Sequence, residues 1–386
     1  MTQGMPAEPL FAQIKLHTYF GGGEIFAAHL AEAAAGLGGS SVLIVHPAAK
    51  HWQNLHLPAT RLIEAHDWAE AVTKLPRGLP VIVHAAPPLD IAQKIAAMQP
   101  LIGFVHMPLN RFYADSRHAY GACTRVVGVS GYVIDTIRGL GLEAWPDPFY
   151  GVADARRPGD GEGIVSTSEF EWDRRKFRDR LLGLSEPFWS RLRRQTAYQK
   201  RDGLTLGIVS RLAPIKQFPL LMELLSPELA RQKNIFLEVF GAGGYASVRD
   251  LRRALKPLGE RVRFWGHQRD VARAYASIDV LMTGLPEREA LGLNVIESQA
   301  CGVPVLAPGA PPFTETVLPG KTGWLYADPR KSGDAVYPSF SALLAQIQMG
   351  KAAGSLPDPR SETEHMERFS KNAFNKRLAA LLASVR

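Results

Sequence analysis

Short apolar runs alternate with amphipathic helical stretches along most of the chain. The runs end in polar residues or glycine, a pattern typical of buried parallel strands joined by crossover helices. Strands are predicted at residues 13–16, 41–45, 81–83, 101–105 and 125–129, and again at residues 204–209, 235–240, 262–265, 280–282 and 303–307. The pattern therefore predicts an α/β protein with two doubly wound, Rossmann-like domains.

Length and turn composition set the expected domain boundaries. A chain of 386 residues is too long for one ordinary core. Residues 146–162 are rich in Pro, Gly and Asp, which is typical of a linker. We expect a first domain at residues 1–150, a linker with a basic segment at 151–202, a second domain at 203–365, and a C-terminal helix at 366–386 that packs back on the first domain.

Composition excludes several classes of protein. Hydrophobic residues make up 46% of the chain and charged residues 21%, which is near the globular average. Two cysteines, Cys123 and Cys301, are too few for a disulfide framework or a four-cysteine zinc site. The first residues lack the basic and apolar regions of a signal peptide, and no stretch is apolar enough to span a membrane. These features favour the cytoplasm.

A basic segment at residues 172–201 holds ten Lys or Arg against three Asp or Glu, and so carries seven of the eight net positive charges. Trp172, Phe177, Phe188 and Trp189 interleave with its arginines, a mixture suited to a membrane interface. One interpretation is a patch for an anionic membrane surface or a phosphorylated ligand. The other is a solvated basic helix beside a linker. Nucleic acid is not an expected partner, because no known nucleic-acid-binding motif is present.

The most informative motif is the pair Glu289 and Glu297, eight positions apart with Gly292 between them. A loop glycine lets a ligand approach the backbone, and a helix that starts near Leu293 offers N–H groups to an anion. A glycosidase acid and nucleophile pair is an alternative interpretation. Helical spacing would leave the side chains about 80° and about two turns apart, so they would not face one bond. We expect each carboxylate to hold a different sugar ring.

Two cations follow the first predicted strand of the second domain. Arg211 and Lys216 lie on the loop after residues 204–209, and open parallel sheets bind ligands beyond the carboxyl ends of their strands. An arginine fork and a lysine point charge can together neutralise a diphosphate. No Asp-x-Asp pair, His-x-x-x-His motif or cysteine pair indicates a metal site. We expect the two cations to take the place of a metal ion.

In the first domain, a glycine turn, two histidines and a serine follow predicted strands. The turn at residues 21–23 leads into a predicted helix at 24–36, and its amides can face a phosphate. His84 and His106 each end an apolar run, where a histidine can hydrogen-bond a substrate hydroxyl or transfer a proton. A purely structural histidine is the alternative. His84 and Ser130 are the acceptor-side candidates.

Taken in order, these motifs resemble those of the GT-B glycosyltransferases of family 4, and the likeness covers nearly the whole chain. The matching pieces are the Gly-Gly-x-Glu turn at Gly22, the Val-x-Val-Ser strand end at Ser130, Ser210-Arg-Leu-Ala-Pro-Ile-Lys216, Phe240-Gly-Ala-Gly243, Val262-Arg-Phe-Trp-Gly266, the Glu289 and Glu297 pair, and Gly302-Val-Pro-Val-Leu-Ala307.

The resemblance implies a GT-B fold, with two doubly wound domains facing across a cleft. The first would bind the acceptor, and the second a UDP or GDP sugar, with no other cofactor and no metal. His106, beside the anomeric carbon, and Glu289, on the donor sugar's hydroxyls, are implied as catalytic residues, while Glu297 would hold the ribose. The implied donor-binding residues are Gly22, Gly23, Arg211, Lys216, Gly266, His267, Glu289, Ala290, Leu291, Gly292, Leu293 and Glu297.

The activity implied is retaining, metal-independent hexosyl transfer to a glycan, glycolipid or lipid-linked acceptor. Its expected setting is surface polysaccharide or glycolipid assembly, in the cytoplasm or at the inner face of the membrane. Two alternatives stay open. One is an epimerase or phosphorylase with the same fold, and the other is a non-catalytic module that binds nucleotide sugars or nucleic acid.

Overall fold

The computed structural model describes residues 7–109, 114–153, 158–159, 163–172, 177–192, 196–331 and 336–385. The chain divides into two compact units. Unit 1 combines Met1–Asp154 with Glu367–Arg386, and unit 2 is Ala155–Met366. Within the described ranges, no helix has both the length and the apolar character needed to cross a bilayer.

Unit 1 is built on a six-stranded parallel sheet. Its strands are β1 (Pro9–Lys15), β2 (Ser40–Val45), β3 (Thr60–Glu64), β4 (Val81–Val83), β5 (Leu101–Val105) and β6 (Arg125–Gly128). Its helices are α1 (Gly22–Gly36), α2 (Trp68–Thr73), α3 (Leu89–Ala96), α4 (Ala114–Gly121), α5 (Gly131–Gly139) and α14 (Lys371–Ala383). The strand order is β3-β2-β1-β4-β5-β6, so the direction in which strands are added reverses between β1 and β4.

Unit 2 repeats this strand order. Its strands are β7 (Leu204–Val209), β8 (Ile235–Phe240), β9 (Val262–Gly266), β10 (Val280–Met282), β11 (Val305–Pro308) and β12 (Gly323–Tyr326). Its helices are α6 (Phe177–Leu192), α7 (Phe218–Arg231), α8 (Tyr245–Ala254), α9 (Val271–Ala276), α10 (Leu293–Ala300), α11 (Phe313–Thr316), α12 (Phe340–Ala352) and α13 (Thr363–Glu367). The order β12-β11-β10-β7-β8-β9 places the reversal between β7 and β10.

The central strands are mostly apolar and are buried, as expected for parallel strands with helices on both faces of the sheet. Every residue of β4, β5 and β7 is buried. In unit 1, α14 packs on α1, where the Phe374 and Phe26 rings lie 5.4 Å apart between centroids. The C-terminal helix therefore contributes directly to the core of unit 1.

The sequence pattern located ten of the strands and overlooked β3 and β12. Both are edge strands. Only Thr60 and Ile63 of β3 are half-buried, and its other three residues are exposed, so its sequence carries no continuous apolar run. In β12 the run is short and follows Gly323, whose φ is 157°.

Candidate functional site

The candidate site of unit 2 lies where the strand order reverses. β7 and β10 are hydrogen-bonded neighbours, and the chain leaves their carboxyl ends in opposite lateral directions. In open α/β sheets the crevice at this point is where ligands bind. Lys216 lies on the loop after β7, and Glu289 on the loop after β10. The fold therefore brings together two residues that are 73 positions apart.

The loop after β7 is fixed by backbone contacts. Leu212 N–H donates to the Ala242 carbonyl at 2.8 Å, and Leu285 N–H donates to the Lys216 carbonyl at 3.2 Å. A Cβ at Gly284 would lie 2.1 Å from that same carbonyl oxygen, so only glycine permits this approach. The loops after β7 and β10 are thus held against each other.

The Lys216 ammonium donates to Glu289 Oε2, and the Gly292 N–H donates to Glu289 Oε1 at 3.2 Å. The Lys216 side chain is 26% exposed and that of Glu289 15%. One carboxylate therefore joins a cation to the start of α10. Arg211, on the same loop as Lys216, is exposed.

Gly292 precedes α10 and has a left-handed backbone, with φ 78° and ψ 66°. Any other residue would be strained there. Ala290 and Leu291 are buried beside it, and Leu293 begins the helix half-buried. The N-terminus of α10, where backbone N–H groups favour anions, consequently lies next to Lys216.

Glu297 lies on the second turn of α10, where Tyr275 Oη donates to its Oε2 at 3.2 Å. Asn294 on the same helix donates to the Val209 carbonyl at the end of β7, also at 3.2 Å. Glu289 belongs to the turn before the helix, so the helical angle expected between the two glutamates does not apply. Their assignment to different partners is consistent with the division of labour that we expect.

Gly266 and His267 end β9. Gly266 is buried with φ 68°, and its carbonyl accepts the Gly241 N–H at 2.7 Å. Thr167 Oγ1 donates to the His267 carbonyl at 2.9 Å. The segment around Thr167 therefore covers the backbone at this strand end, while the His267 side chain is exposed.

In unit 1, the glycine turn encloses a buried lysine that the sequence analysis did not identify. Lys15 ends β1, and its Nζ lies 3.3 Å from Glu24 Oε1, with the side chains 6% and 1% exposed. A Cβ on Gly23 would lie 2.7 Å from Nζ. Burial lowers the pKa of Lys15, an effect that Glu24 partly offsets. A lysine that closes an apolar strand run is the signal that could have found it.

His84 and His106 follow β4 and β5, and their Nδ1 and Nε2 atoms are 2.9 Å apart. His84 is 4% exposed, whereas His106 is half-buried. Burial lowers the pKa of His84 well below its usual value, and burial followed by the charge of Lys15 lowers that of His106 to about 3. Neither ring is therefore charged near neutral pH, which favours the hydrogen-bonding interpretation of His106 over proton transfer.

Ser130 is fully buried, and its Oγ accepts the Val133 N–H at 3.1 Å, so it caps α5. A capping hydroxyl satisfies one of the amides at the start of a helix. Its acceptor-side role stays a prediction.

Arg330 is a second residue that sequence reasoning missed. It forms a fork with Asp328, with Nε and Nη2 at 2.9 and 2.6 Å from the carboxylate oxygens, and it also pairs with Glu287 on the loop that carries Glu289. Nothing in the local sequence indicates this pairing, since the partners are 43 positions apart. Arg330 therefore ties the Glu289 loop to the segment after β12.

Comparison with known proteins connects this site to a family. Residues 203–339 match the family model described as Glycosyl transferases group 1. This segment is similar to the group 1 glycosyl transferases. The matched segment contains Lys216, Glu289 and Glu297, while His106 and the glycine turn lie outside the matched range.

Two curated relatives of this chain are named as GDP-mannose-dependent mannosyltransferases. A GDP-mannose-dependent monoacylated alpha-(1-6)-phosphatidylinositol monomannoside mannosyltransferase of Corynebacterium glutamicum is 31% identical over 140 residues, 32% of this chain and 36% of the relative. A GDP-mannose-dependent alpha-(1-6)-phosphatidylinositol monomannoside mannosyltransferase of Mycolicibacterium smegmatis is 32% identical over 176 residues, 43% of this chain and 45% of the relative. The chain thus spans less than half the length of these relatives.

Solved structures establish the fold across both units. Anabaena HepE in complex with UDP and glucose has a TM-score of 0.68 at 17% identity, covering 97% of this chain and 99% of that one. Sucrose-phosphate synthase from Thermosynechococcus elongatus has a TM-score of 0.69 at 16% identity, covering 97% and 98%. The expected GT-B class of two Rossmann-like sheets is confirmed.

Proposed function

We propose that this protein transfers a hexose from a nucleotide-diphosphate sugar, of the UDP or GDP type, to a glycan, glycolipid or lipid-linked acceptor with retention of anomeric configuration. The observation that carries the proposal is the contact of Lys216 with Glu289 at the strand-order reversal of unit 2, directly before the N-terminus of α10. A cation and a helix N-terminus suit a diphosphate, and a neighbouring carboxylate suits sugar hydroxyls.

The diphosphate would bind to Lys216, Arg211 and the amides that begin α10. As the bond to the anomeric carbon breaks, negative charge develops on the leaving diphosphate, and fixed positive groups stabilise it without reorganising. The amides near Gly292 and Leu293 are oriented by the backbone of the turn, so they are in place before the donor binds. The two cations supply the charge that we assign to the protein instead of a metal ion.

Donor binding would divide the present ion pair. Glu289 would turn from Lys216 to the sugar hydroxyls, and Lys216 to a phosphate oxygen. Arg330 holds Glu287, two residues before Glu289, so the loop backbone can stay fixed while the carboxylate changes partner. Glu297, held by Tyr275, would accept hydrogen bonds from the ribose. Gly266 and His267 are assigned to the nucleobase, and Gly22 and Gly23 of unit 1 to the diphosphate.

A donor panel and product analysis test the proposal. Thermal shifts with UDP-glucose, UDP-galactose, UDP-N-acetylglucosamine and GDP-mannose identify the donor, since a ligand stabilises the folded state that it binds. A ¹³C-labelled donor then shows by NMR whether the anomeric configuration is retained. Transfer that persists in EDTA supports metal independence. A labelled product that forms without any acceptor other than water or phosphate would contradict transferase activity and favour an epimerase or phosphorylase.

We also propose that the basic segment docks on an anionic membrane surface. Three side chains on one face of α6 point to solvent, namely Phe177, Leu181 and Leu184, which are 68%, 51% and 75% exposed. Their spacing of four and three places them in one stripe. The segment around them carries a net charge of seven, which complements anionic lipid.

The opposite face of α6 is polar and packs inward. Asp179 is 4% exposed, and Glu186 accepts hydrogen bonds from Ser168 and from the Trp172 indole. This reverses the usual arrangement of a surface helix, which buries its apolar stripe. Trp172, which precedes α6, packs against this inward face and is stacked on Phe170 at 5.0 Å, so it is not part of the docking stripe.

Only part of the basic segment lies within the residues that the structure describes. Residues 173–176 and 193–195 lie outside the described residues, as do the side chains of Phe188 and Trp189. The stripe is therefore defined as Phe177, Leu181 and Leu184 only.

Vesicle flotation tests the stripe. The wild-type protein should float at low salt with vesicles of phosphatidylcholine and phosphatidylglycerol but not with phosphatidylcholine alone. The triple variant F177S/L181S/L184S should lose about tenfold or more in binding, because each buried side chain contributes about 1.5–3 kcal/mol. The matched control L220S/L224S/M349S alters exposed apolar residues elsewhere in unit 2 and should bind as the wild type does. Wild-type protein that stays unbound at low salt would refute the proposal.

A further inference from the structure

Three polar side chains form a hydrogen-bonded chain at the carboxyl edge of the sheet in unit 1. Gln13 lies on β1, His84 follows β4 and His106 follows β5. His84 Nε2 is 2.8 Å from Gln13 Oε1, and His84 Nδ1 is 2.9 Å from His106 Nε2. The three strands are neighbours in the sheet, so a rigid element holds each member of the chain.

The two imidazole rings are aligned for a strong contact. Their planes differ by 18°, and their centroids are 5.2 Å apart. A 2.9 Å contact between ring nitrogens at this centroid distance means that the N–H···N bond lies nearly along the line of centres and in the plane of both rings. That is the geometry in which a nitrogen lone pair accepts a proton best.

The amide of Gln13 determines which nitrogen donates in each hydrogen bond between these three side chains. Its Nε2 donates to the Ala27 carbonyl at 3.3 Å, so its Oε1 faces His84 as an acceptor. His84 must then carry its proton on Nε2. A neutral imidazole has one N–H and one lone pair, so His84 Nδ1 accepts the proton of His106 Nε2. His106 in turn is left with a lone pair on Nδ1.

Burial lowers the pKa of both histidines, which favours the neutral rings that this hydrogen-bond direction requires. Gln13 is fully buried and His84 is 4% exposed. The charged groups nearby are Lys15 and Glu24, which pair with each other, and the Lys15 charge further lowers the pKa of both histidines. No residue that the structure describes donates a hydrogen bond to His106 Nδ1.

We infer that Gln13 and His84 are positioning residues that hold His106 as the Nε2–H tautomer, so that His106 presents Nδ1 to its ligand as a hydrogen-bond acceptor. The inference rests on the proposed function for the identity of that ligand, a hydroxyl of the transferred sugar. It specifies the polarity of the contact: the sugar hydroxyl donates and the histidine accepts. His106 then orients the sugar and does not protonate it.

Nitrogen NMR tests the tautomer without any variant. In protein labelled with ¹⁵N-histidine at pH 7.5, His106 should show a pyrrole-type shift at Nε2 and a pyridine-type shift at Nδ1, as should His84. His365 of unit 2, whose Nε2 faces the Thr316 carbonyl at 3.1 Å, serves as an internal reference. A pyrrole-type shift at His106 Nδ1 would overturn the inference.

A glutamine variant tests the origin of the tautomer. In Gln13→Met, His84 loses the acceptor that selects Nε2–H, and the His106 shifts should move toward the average of the two tautomers. The matched control is Gln99→Met, which replaces another buried glutamine of unit 1 whose Oε1 accepts the Gly78 N–H at 3.1 Å. Unchanged ¹⁵N shifts of His106 in a folded Gln13→Met protein would show that Gln13 does not select the His106 tautomer.

Binding separates this inference from the proposed function. Gln13→Met should weaken the panel's strongest nucleotide sugar by about 3- to 10-fold, the range of one hydrogen bond, while free UDP or GDP binds as in the wild type. Equal weakening of both ligands would show structural damage in place of a sugar contact and would contradict the positioning role. Lys216→Ala changes only unit 2 and leaves the His106 tautomer unaltered. Its loss of transfer activity therefore tests the proposed function separately from the tautomer.

Discussion

The two units have the same strand order but opposite chemistry at the point where that order reverses. In unit 2 the loops after β7 and β10 hold Lys216 and Glu289, both partly exposed and both charged. In unit 1, Lys15 ends β1 and His84 follows β4; both are buried, and burial favours the neutral form of the histidine. A charged, accessible reversal point suits the binding of a diphosphate. A buried one, where Lys15 is paired with Glu24 beside neutral histidines, suits a fixed pattern of donors and acceptors.

This difference shows that the same strand order can place accessible charged groups at the reversal point, or buried groups whose hydrogen-bond donors and acceptors are fixed. Variants that alter only one unit should therefore change only one property. Four predictions follow that division, from the largest expected effect to the smallest.

Lys216→Ala should break the charged site most severely. Removing a cation aimed at the leaving diphosphate should lower kcat/KM by about 100-fold or more, the magnitude found when one preorganised group is lost from an active site. Steady-state kinetics with the donor found by thermal shift measures this. Lys233→Ala, which alters an exposed lysine of the same unit, is the matched control. Wild-type turnover of Lys216→Ala at saturating donor would disprove the diphosphate assignment.

Gly292→Ala should separate backbone strain from site geometry. Gly292 and Gly320 have nearly the same backbone, with φ of 78° and 76°, but a new Cβ would lie 3.1 Å from Val295 at Gly292 and meet nothing within 4 Å at Gly320. Both alanine variants should lose about 1 kcal/mol or more of stability, the usual range for a non-glycine residue with this backbone. Only Gly292→Ala should also raise the donor KM, because only it shifts the amides of α10. A donor KM that is unchanged in Gly292→Ala would show that these amides do not contact the donor.

The buried histidines of unit 1 should make the free energy of unfolding depend on pH in the acid range. The pKa of His106 is about 6.5 in the unfolded chain and about 3 in the folded protein. Above pH 6.5, His106 is neutral in both states. Below pH 6.5, the unfolded chain binds a proton that the folded protein does not bind until near pH 3. The free energy of unfolding should therefore fall as pH drops from 6.5, by about 1.4 kcal/mol per pH unit for each such histidine. Urea unfolding at pH 7, 6 and 5 measures the slope.

His106→Gln should reduce that slope by about 1.4 kcal/mol per pH unit, which is the contribution of one proton, since glutamine does not titrate. His56→Gln, which replaces an exposed histidine of the same unit, should leave it unchanged. If both variants keep the wild-type slope, the acid sensitivity arises elsewhere.

Tyr275→Phe should give the smallest effect and sharpen the role of Glu297. It removes a hydroxyl that lies 3.2 Å from both the Glu297 carboxylate and the Asn294 carbonyl, and a hydrogen bond is worth about 1 kcal/mol. We expect the donor KM to rise about 3- to 10-fold with kcat nearly unchanged. Tyr326→Phe, in the core of unit 2, is the control. A fall in kcat with an unchanged KM would place Glu297 at the reacting centre, away from the ribose.

The sequence was a good guide wherever one short stretch contains the whole signal. Most residues of the central strands are apolar, and the turn at Gly292 and the helix from Leu293 were both expected. Because ligand crevices follow strand ends, Lys216 and Glu289 could be chosen as candidates before the strand order was known. The structure brings them into contact, and their roles stay predictions.

The features that were missed depend on contacts between distant residues. The pairing of Arg330 with Glu287 spans 43 positions, and no local pattern encodes it. The tautomer of His106 depends on Gln13, which lies 71 positions before His84 on another strand. Lys15 was passed over because a lysine after an apolar run is usually solvated, whereas here Glu24 and the glycine turn enclose it.

The return of α14 to unit 1 has a consequence for the order in which the protein folds during synthesis. The residues of α14 leave the ribosome only after all of unit 2 has been made, yet Phe374 packs against Phe26 near the start of the chain. Unit 2 is continuous and can fold as it emerges. Unit 1 must wait with its α1 surface uncovered, so a chaperone that shields apolar surface should be needed longest by the unit that is translated first.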